Sequence, residues 1–261
     1  MKNIRNRRRL GAALAPRGVA LLAGLLLMAT AGAAMPTPAA AQLVVDRLVV
    51  DIVPGAPPRE DILLQNQSKD RYYITVSPTE ILNPGADTPT KVTKTNPEDL
   101  GLLVTPNRLI LDPGASRSIR IVSLNGPLDA DRIYRILIAP QVGALRPGAT
   151  PEGTRAVALK ILTAYEALVI VRPRRPEAHV VAVRTAEGLV LKNVGNTNAL
   201  LFDGTACEAN PAGGGRPHCA VLPSHRMYAG SEWKVPLPHP SDVAAFQYQV
   251  SQSQDPRPVR Y

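Results

Sequence analysis

Apolar and polar residues alternate along most of this chain in short runs, each closed by proline, glycine or asparagine. Such runs, rich in Val, Ile, Leu, Thr and Tyr, predict half-buried β-strands. They lie near 43–52, 60–66, 71–77, 80–82, 102–104, 107–111, 116–124, 132–140 and 155–171. Turn signals punctuate them at Val53-Pro-Gly55, Asn83-Pro-Gly85, Asp112-Pro-Gly114 and Arg146-Pro-Gly148. No sustained 3.6-residue periodicity appears. A second series of strands is predicted near 178–185, 188–193, 198–203, 219–222, 232–237 and 244–251, with Asn193-Val-Gly-Asn196 as a turn. The tail from Ser251 to Tyr261 is polar and carries prolines, which predicts disorder.

Between the two series stands Arg172-Pro-Arg-Arg-Pro176. Proline has no N–H to give a ladder, so two prolines three residues apart end a strand. Seven or more short strands at this spacing before the boundary, and a second β-rich unit after it, predict an all-β chain of two immunoglobulin-like β-sandwich domains. The first spans 42–172 and the second 173–261.

Residues 1–41 read as an address. Lys2, Arg5, Arg7, Arg8, Arg9 and Arg17 precede the apolar run Val19–Met28, and Ala39 and Ala41 match a small-x-small cleavage site. This order predicts a secretory signal peptide cut after Ala41, since the apolar run is short for a membrane span of about 20 residues. Without it the chain keeps 24 basic and 21 acidic residues, so the net charge falls from +9 to +3. No basic cluster is interleaved with aromatics, so nucleic acid is not an expected partner. The 220 residues left suit two domains of about 100 residues each.

Export also changes the reading of Cys207 and Cys219, the two cysteines of the chain. A local pair in a secreted protein predicts one disulfide around the Asn210–Gly215 excursion. A metal site is not expected, because His218 alone supplies no tetrad with them. His179, His218, His225 and His239 form no acid–base constellation, and no nucleophile elbow, zinc-protease or phosphate-loop motif occurs. Neither an enzyme, a cofactor nor a small-molecule substrate is expected. Trp233 is expected in the second core.

The longest β-type stretch is Arg155–Val171. Val157, Leu159, Ile161 and Thr163 alternate with Ala156, Ala158 and Lys160. Some 15 residues exceed the usual strand of about 5–6. Either the whole stretch is buried in an ordinary sandwich, or one half completes the sandwich while the other presents an apolar edge to a partner.

A resemblance bears on that choice. Gly101-Leu-Leu-Val-Thr-Pro-Asn-Arg-Leu-Ile-Leu-Asp-Pro-Gly-Ala-Ser-Arg-Ser-Ile-Arg-Ile121, followed by Arg132-Ile-Tyr-Arg-Ile136, resembles the N-terminal domain of periplasmic chaperones of the chaperone–usher pathway. It is most similar to the divergent class serving colonisation-factor and common-pilus fibres. Tyr165-Glu-Ala-Leu-Val-Ile-Val-Arg-Pro173 resembles the end of that domain. Asn193–Asn196 with the cysteine pair resembles the second domain. The resemblance implies an L-shaped pair of immunoglobulin-like domains, no catalysis, a periplasmic location, and pilin subunits and an outer-membrane usher as partners. It implies that Val157, Leu159, Ile161 and Thr163 fill the groove of a pilin as a donated strand. The alternative is a secreted structural or adhesive module of a fibre.

One departure stands out. Family members anchor the pilin's C-terminal carboxylate with an Arg early in the first strand and a Lys four residues before the junction Arg-Pro. Here Leu168 holds the Lys position, and Val49 or Val50 lies near the Arg position. Arg135 is the expected substitute, with Arg47 next; a solvated strand face is the plainer fate of Arg135. Arg172 is expected to hold the domain junction through an acid of the second domain, such as Asp203 or Asp242.

Overall fold

A computed structural model describes residues 42–143, 160–209, 211 and 215–261. The first-domain strands are β1 (Leu43–Val45), β2 (Val49–Ile52), β3 (Arg59–Asn66), β4 (Tyr72–Leu82), β5 (Thr90–Val92), β6 (Leu102–Thr105), β7 (Arg108–Leu111), β8 (Ser116–Ser123), β9 (Arg132–Val142) and β10 (Tyr165–Val171). They make two sheets, β1-β3-β8-β6 and β2-β10-β9-β4-β5, with β7 also paired to β4. Alternation explains the core between them. Ile62 and Leu64 of β3, Ile119 and Ile121 of β8, Ile74 and Val76 of β4, and Ile136 and Ile138 of β9 all point inward and are buried.

The later strands are β11 (Val180–Thr185), β12 (Gly188–Asn193), β13 (Ala199–Cys207), β14 (Cys219–Leu222), β15 (His225–Met227), β16 (Glu232–Val235), β17 (Val243–Gln249) and β18 (Arg257–Arg260). They form β11-β12-β16 and β14-β13-β17-β18, with β15 on β13. Leu189, Leu191, Leu201, Met227 and Phe246 fill this second core. No strand pairing between the described residues joins the two halves. Both halves are thus two-sheet β-sandwiches.

Several expectations change. The run 43–52 is two strands: β1 pairs antiparallel with β3, and β2 pairs parallel with β10 in the opposite sheet. The crossing falls at Asp46–Leu48, where the Asp46 carboxylate accepts from the Leu63 N–H at 2.8 Å. Conversely, 71–77 and 80–82 are one strand. Val76 N–H donates to Asn107 O on the β7 side. Two residues on, the missing N–H of Pro78 falls between β7 and β5, where no described strand pairs with β4 on that side. A short helix, α1 (Pro97–Leu100), was not legible as periodicity. Asn96 caps it, and Gly101 ends it at φ +76°.

The tail is ordered, against the expectation of disorder. β18 pairs with β17, Tyr261 and Ala244 exchange backbone bonds, and Arg184 donates to the Tyr261 carbonyl at 3.2 Å. Cys207 and Cys219 are directly opposed on β13 and β14 and joined by a disulfide. Trp233 is half-buried against the second core and stacks on His225, with ring centroids 4.5 Å apart.

Candidate functional site at the junction of the sandwiches

Strand β10 is central to the site. Ala167–Val171 is buried throughout instead of alternating, as expected for a strand covered on both faces. Its inward residues, Ala167, Val169 and Val171, join the first core. Its outward residues, Leu168 and Ile170, join Ile81, Ile133 and Val49 in a separate cluster capped by Tyr228 of the second sandwich.

Register fixes this outward face in rows. Ile170 aligns with Asp51, Ile133 and, through β9, Ile81. Two residues away, Leu168 aligns with Val49 on one side and Arg135 on the other. Of Val49 and Val50, the two residues near the position where the family resemblance implies an Arg, Val49 is the direct neighbour of Leu168, where it implies a Lys, and all three are aliphatic. Arg135 stands beside them in the same row, half-buried. A recess of about 180 Å³ opens there, lined by Ile81, Pro84, Pro89, Lys91, Ile133, Arg135, Glu166 and Tyr228. The β4–β5 turn also approaches the second sandwich: a Cβ on Gly85 would collide with that of Ser231. Only glycine allows that approach.

Arg135 makes no hydrogen bond or ion pair among the described residues, whereas Arg132 of the same motif is held bidentately by Glu80 at 2.7 Å. Arg47 is exposed and already engaged by Asp46 and Glu60, at 3.1 and 3.3 Å. Arg172 departs from the expected pairing. Its acid is Asp51 of the first sandwich, met through Nε at 2.7 Å and Nη2 at 3.1 Å, not Asp203 or Asp242. Its remaining bonds cross to Thr197, the Asn198 carbonyl and the Val250 carbonyl of the second sandwich. Asp131 meets Thr197 Oγ1 at 2.6 Å and the Asn198 N–H at 2.7 Å. The turn at Asn193–Asn196 adds Asn196 Nδ2, which donates to Asp129 O and Arg175 O. Asp51, Asp131, Arg226 and Tyr228 were missed in the sequence. Asp51 is a single acid within the predicted run 43–52, and the other three lie outside the predicted strands, so no pattern singles any of them out.

Of the residues expected in a donated strand, Val157 and Leu159 lie outside the described residues. The strand is shorter than predicted: residues 160–164 make no ladder, and β10 begins at Tyr165. Within that segment Ile161 is 78% exposed and Thr163 is exposed, while Leu162 packs on the first core. Lys160 reaches Asp70 and lies 5.8 Å from the Tyr72 ring. Among the described residues β2 pairs with β10 only from Leu168 onward, so no described strand lies beside Tyr165–Ala167 on that side. Among the described residues no cluster of three metal-ligating side chains occurs, and no helix is long and apolar enough to cross a membrane.

No family model matches the sequence. Two curated relatives, both fimbrial proteins of Escherichia coli, do. The one from CS1 fimbriae is 29% identical over 57% of this chain and 62% of its own length. The one from CFA/I fimbriae is 28% identical over 58% of this chain and 63% of its own. The matched stretch thus spans under two thirds of either relative. Among solved structures, the class 5 fimbriae chaperone CfaA is 21% identical with a TM-score of 0.60, covering 84% of this chain and 97% of that one. A chain from a Salmonella enterica SafA pilin–SafB chaperone complex is 14% identical with a TM-score of 0.55, covering 86% and 98%. The E. coli chaperone DraB is 15% identical with a TM-score of 0.55, covering 84% and 95%. The chain has the all-β, paired-sandwich fold of the fimbrial chaperones.

Proposed function

We propose that this chain is a periplasmic fimbrial chaperone and not an enzyme. Residues 42–172 and 173–261 act as its two domains. It lends the segment Val157–Thr163 as a β-strand to pilin subunits and passes them to an outer-membrane usher. The observation that carries the reading is the segment entering β10. Ile161 points an aliphatic side chain into solvent just ahead of Tyr165–Ala167, whose edge no described strand covers. Apolar side chains on an unpaired edge invite another chain to complete the ladder. The fold shared with the fimbrial chaperones over most of the chain supports the same reading. The residues 1–41 serve as the export signal, cut after Ala41. Arg135 substitutes for the absent Arg and Lys pair in holding the pilin's carboxylate.

A second reading, a structural or adhesive module of the fibre itself, draws on the two E. coli relatives, each named as a component of its fimbriae. Co-expression in the periplasm with a candidate fimbrial pilin separates the two. The chaperone reading expects a soluble one-to-one complex, and the fibre reading expects self-assembly. Ile161→Glu then tests the strand. Because the side chain is exposed, the variant should melt like the parent. A charge driven into an apolar groove should abolish the complex. A parent that forms no complex, or an Ile161→Glu variant that binds as the parent does, refutes strand donation.

A further inference from the structure

The second sandwich holds a recess of its own, about 280 Å³, between the start of β11 and the β17–β18 pair. It shares no residue with the recess at the junction. Ala178, Val180, Val259 and Tyr261, packed against the edge of the second core, form its apolar wall. Arg257, Val259 and, one residue past β18, Tyr261 fall on one face by alternation. Register sets Arg257 opposite Tyr248, and its guanidinium lies 4.8 Å from the centre of that ring. Arg260 and His179 complete the lining. What the recess lacks is a negative charge. Glu177 and Asp255, the acids nearest in sequence, are not among its residues. Among the described residues neither Arg257 nor Arg260 meets a carboxylate. The carbonyls beside it are already engaged: Ala178 O accepts from the Tyr248 hydroxyl at 2.8 Å, His179 O from the Val194 N–H, and Tyr261 O from the Ala244 N–H. The Tyr261 phenol, pushed up to about 12 by burial, keeps its proton at neutral pH and can donate it. Guanidiniums can only donate, so this set of groups selects an anion.

We propose that this recess binds a phosphate monoester carried on an apolar stem, its phosphoryl group on Arg257 and Arg260 and its stem against Val180, Val259 and the Tyr261 ring. A carboxylate offers two oxygens. A phosphate monoester offers three, with a charge of about −1.5 to −2, and so matches two guanidinium forks, a phenol and an imidazole more fully. The apolar wall favours an organic ester over the free ion. The volume is close to the lower end of ligand pockets, about 300–1,000 Å³, and exceeds what a bare oxyanion fills. The site lies within the second sandwich alone, so the inference stands apart from the chaperone reading.

The test is calorimetric titration of the chain from Gln42 to Tyr261 with phenyl phosphate, benzoate and inorganic phosphate. Phenyl phosphate should bind about tenfold or more tighter than either, the scale of one charge-assisted hydrogen bond. Arg257→Gln should weaken it by about tenfold or more, and Arg257→Lys, which keeps the charge, by less. Tyr261→Phe keeps the ring and should weaken it severalfold, which guards against a glutamine variant that misfolds. Cosedimentation with phosphatidylcholine vesicles, with and without phosphatidic acid, identifies the source of the ester. Capture that needs both phosphatidic acid and Arg257 makes the stem an acyl chain. No capture, beside tight binding of phenyl phosphate, makes the ligand a soluble ester. Benzoate bound as tightly as phenyl phosphate overturns the phosphoryl group, and inorganic phosphate bound as tightly overturns the stem. No binding of phenyl phosphate, or binding unchanged in a folded Arg257→Gln, overturns the site itself.

Discussion

Replacing Arg172 by methionine isolates the group that holds the two sandwiches to one strand end. The Arg172 side chain is 1% exposed and that of Asp51 is 9%. The substitution keeps the aliphatic stem and removes five hydrogen bonds, two to Asp51 and three to Thr197, Asn198 and Val250. Among the described residues Asp51 is left with only the Gln252 N–H at 3.3 Å. Removing one partner of a buried pair costs about 3–5 kcal/mol, because the other charge stays desolvated. For a chain of this size that corresponds to a fall in melting temperature of roughly 6–20 °C. Urea unfolding followed by circular dichroism measures it directly. Combining Arg172→Met with Asp51→Leu removes both charges, so the double variant should recover much of the loss. It keeps a deficit of about 1 kcal/mol for each second-sandwich bond not remade. A single variant within about 0.5 kcal/mol of the parent would mean that the network is solvated and contributes little. A double variant no better than the single would mean that the orphaned carboxylate is not the cause.

Two further outcomes concern the second sandwich. Reduction of the Cys207–Cys219 bond, which closes a loop of 12-residue separation, should cost about 3 kcal/mol on chain-entropy grounds; an unchanged urea midpoint with reductant would contradict it. Burial holds the His225 imidazole below its ordinary value, so its neutral form is favoured in the fold. Its contribution is complete above the unfolded value near 6.5 and is lost as pH falls through the lower folded value. Because Trp233 is the one tryptophan and stacks on this ring, its fluorescence should titrate with a midpoint below 6.5. The transition should vanish in His225→Phe, and a midpoint at or above 6.5 would refute the buried neutral ring.

Most strands were legible because period-2 alternation is a local property: Ile62 with Leu64, or Ile119 with Ile121, must face one core wherever the chain places them. The same locality made the cysteine pairing readable, since Cys207 and Cys219 sit on the two arms of one hairpin. What failed was non-local. Nothing in Ser251–Tyr261 alone shows that β17 offers a free edge for β18. Likewise the run 43–52 cannot announce that it changes sheets, because that depends on where β3 and β10 lie. The junction is the extreme case. Asp51 and Arg172 are 121 residues apart in the chain. Their charges reveal a role only once neighbours at such separations are known. Residue types by themselves determined a paired-sandwich β protein with an apolar stretch ahead of β10 and no Arg–Lys pair where the family resemblance implies one. Which acid meets Arg172, and which cations are left without one, only the tertiary structure decided, because the strength of a charge depends on burial and on the groups that folding brings beside it.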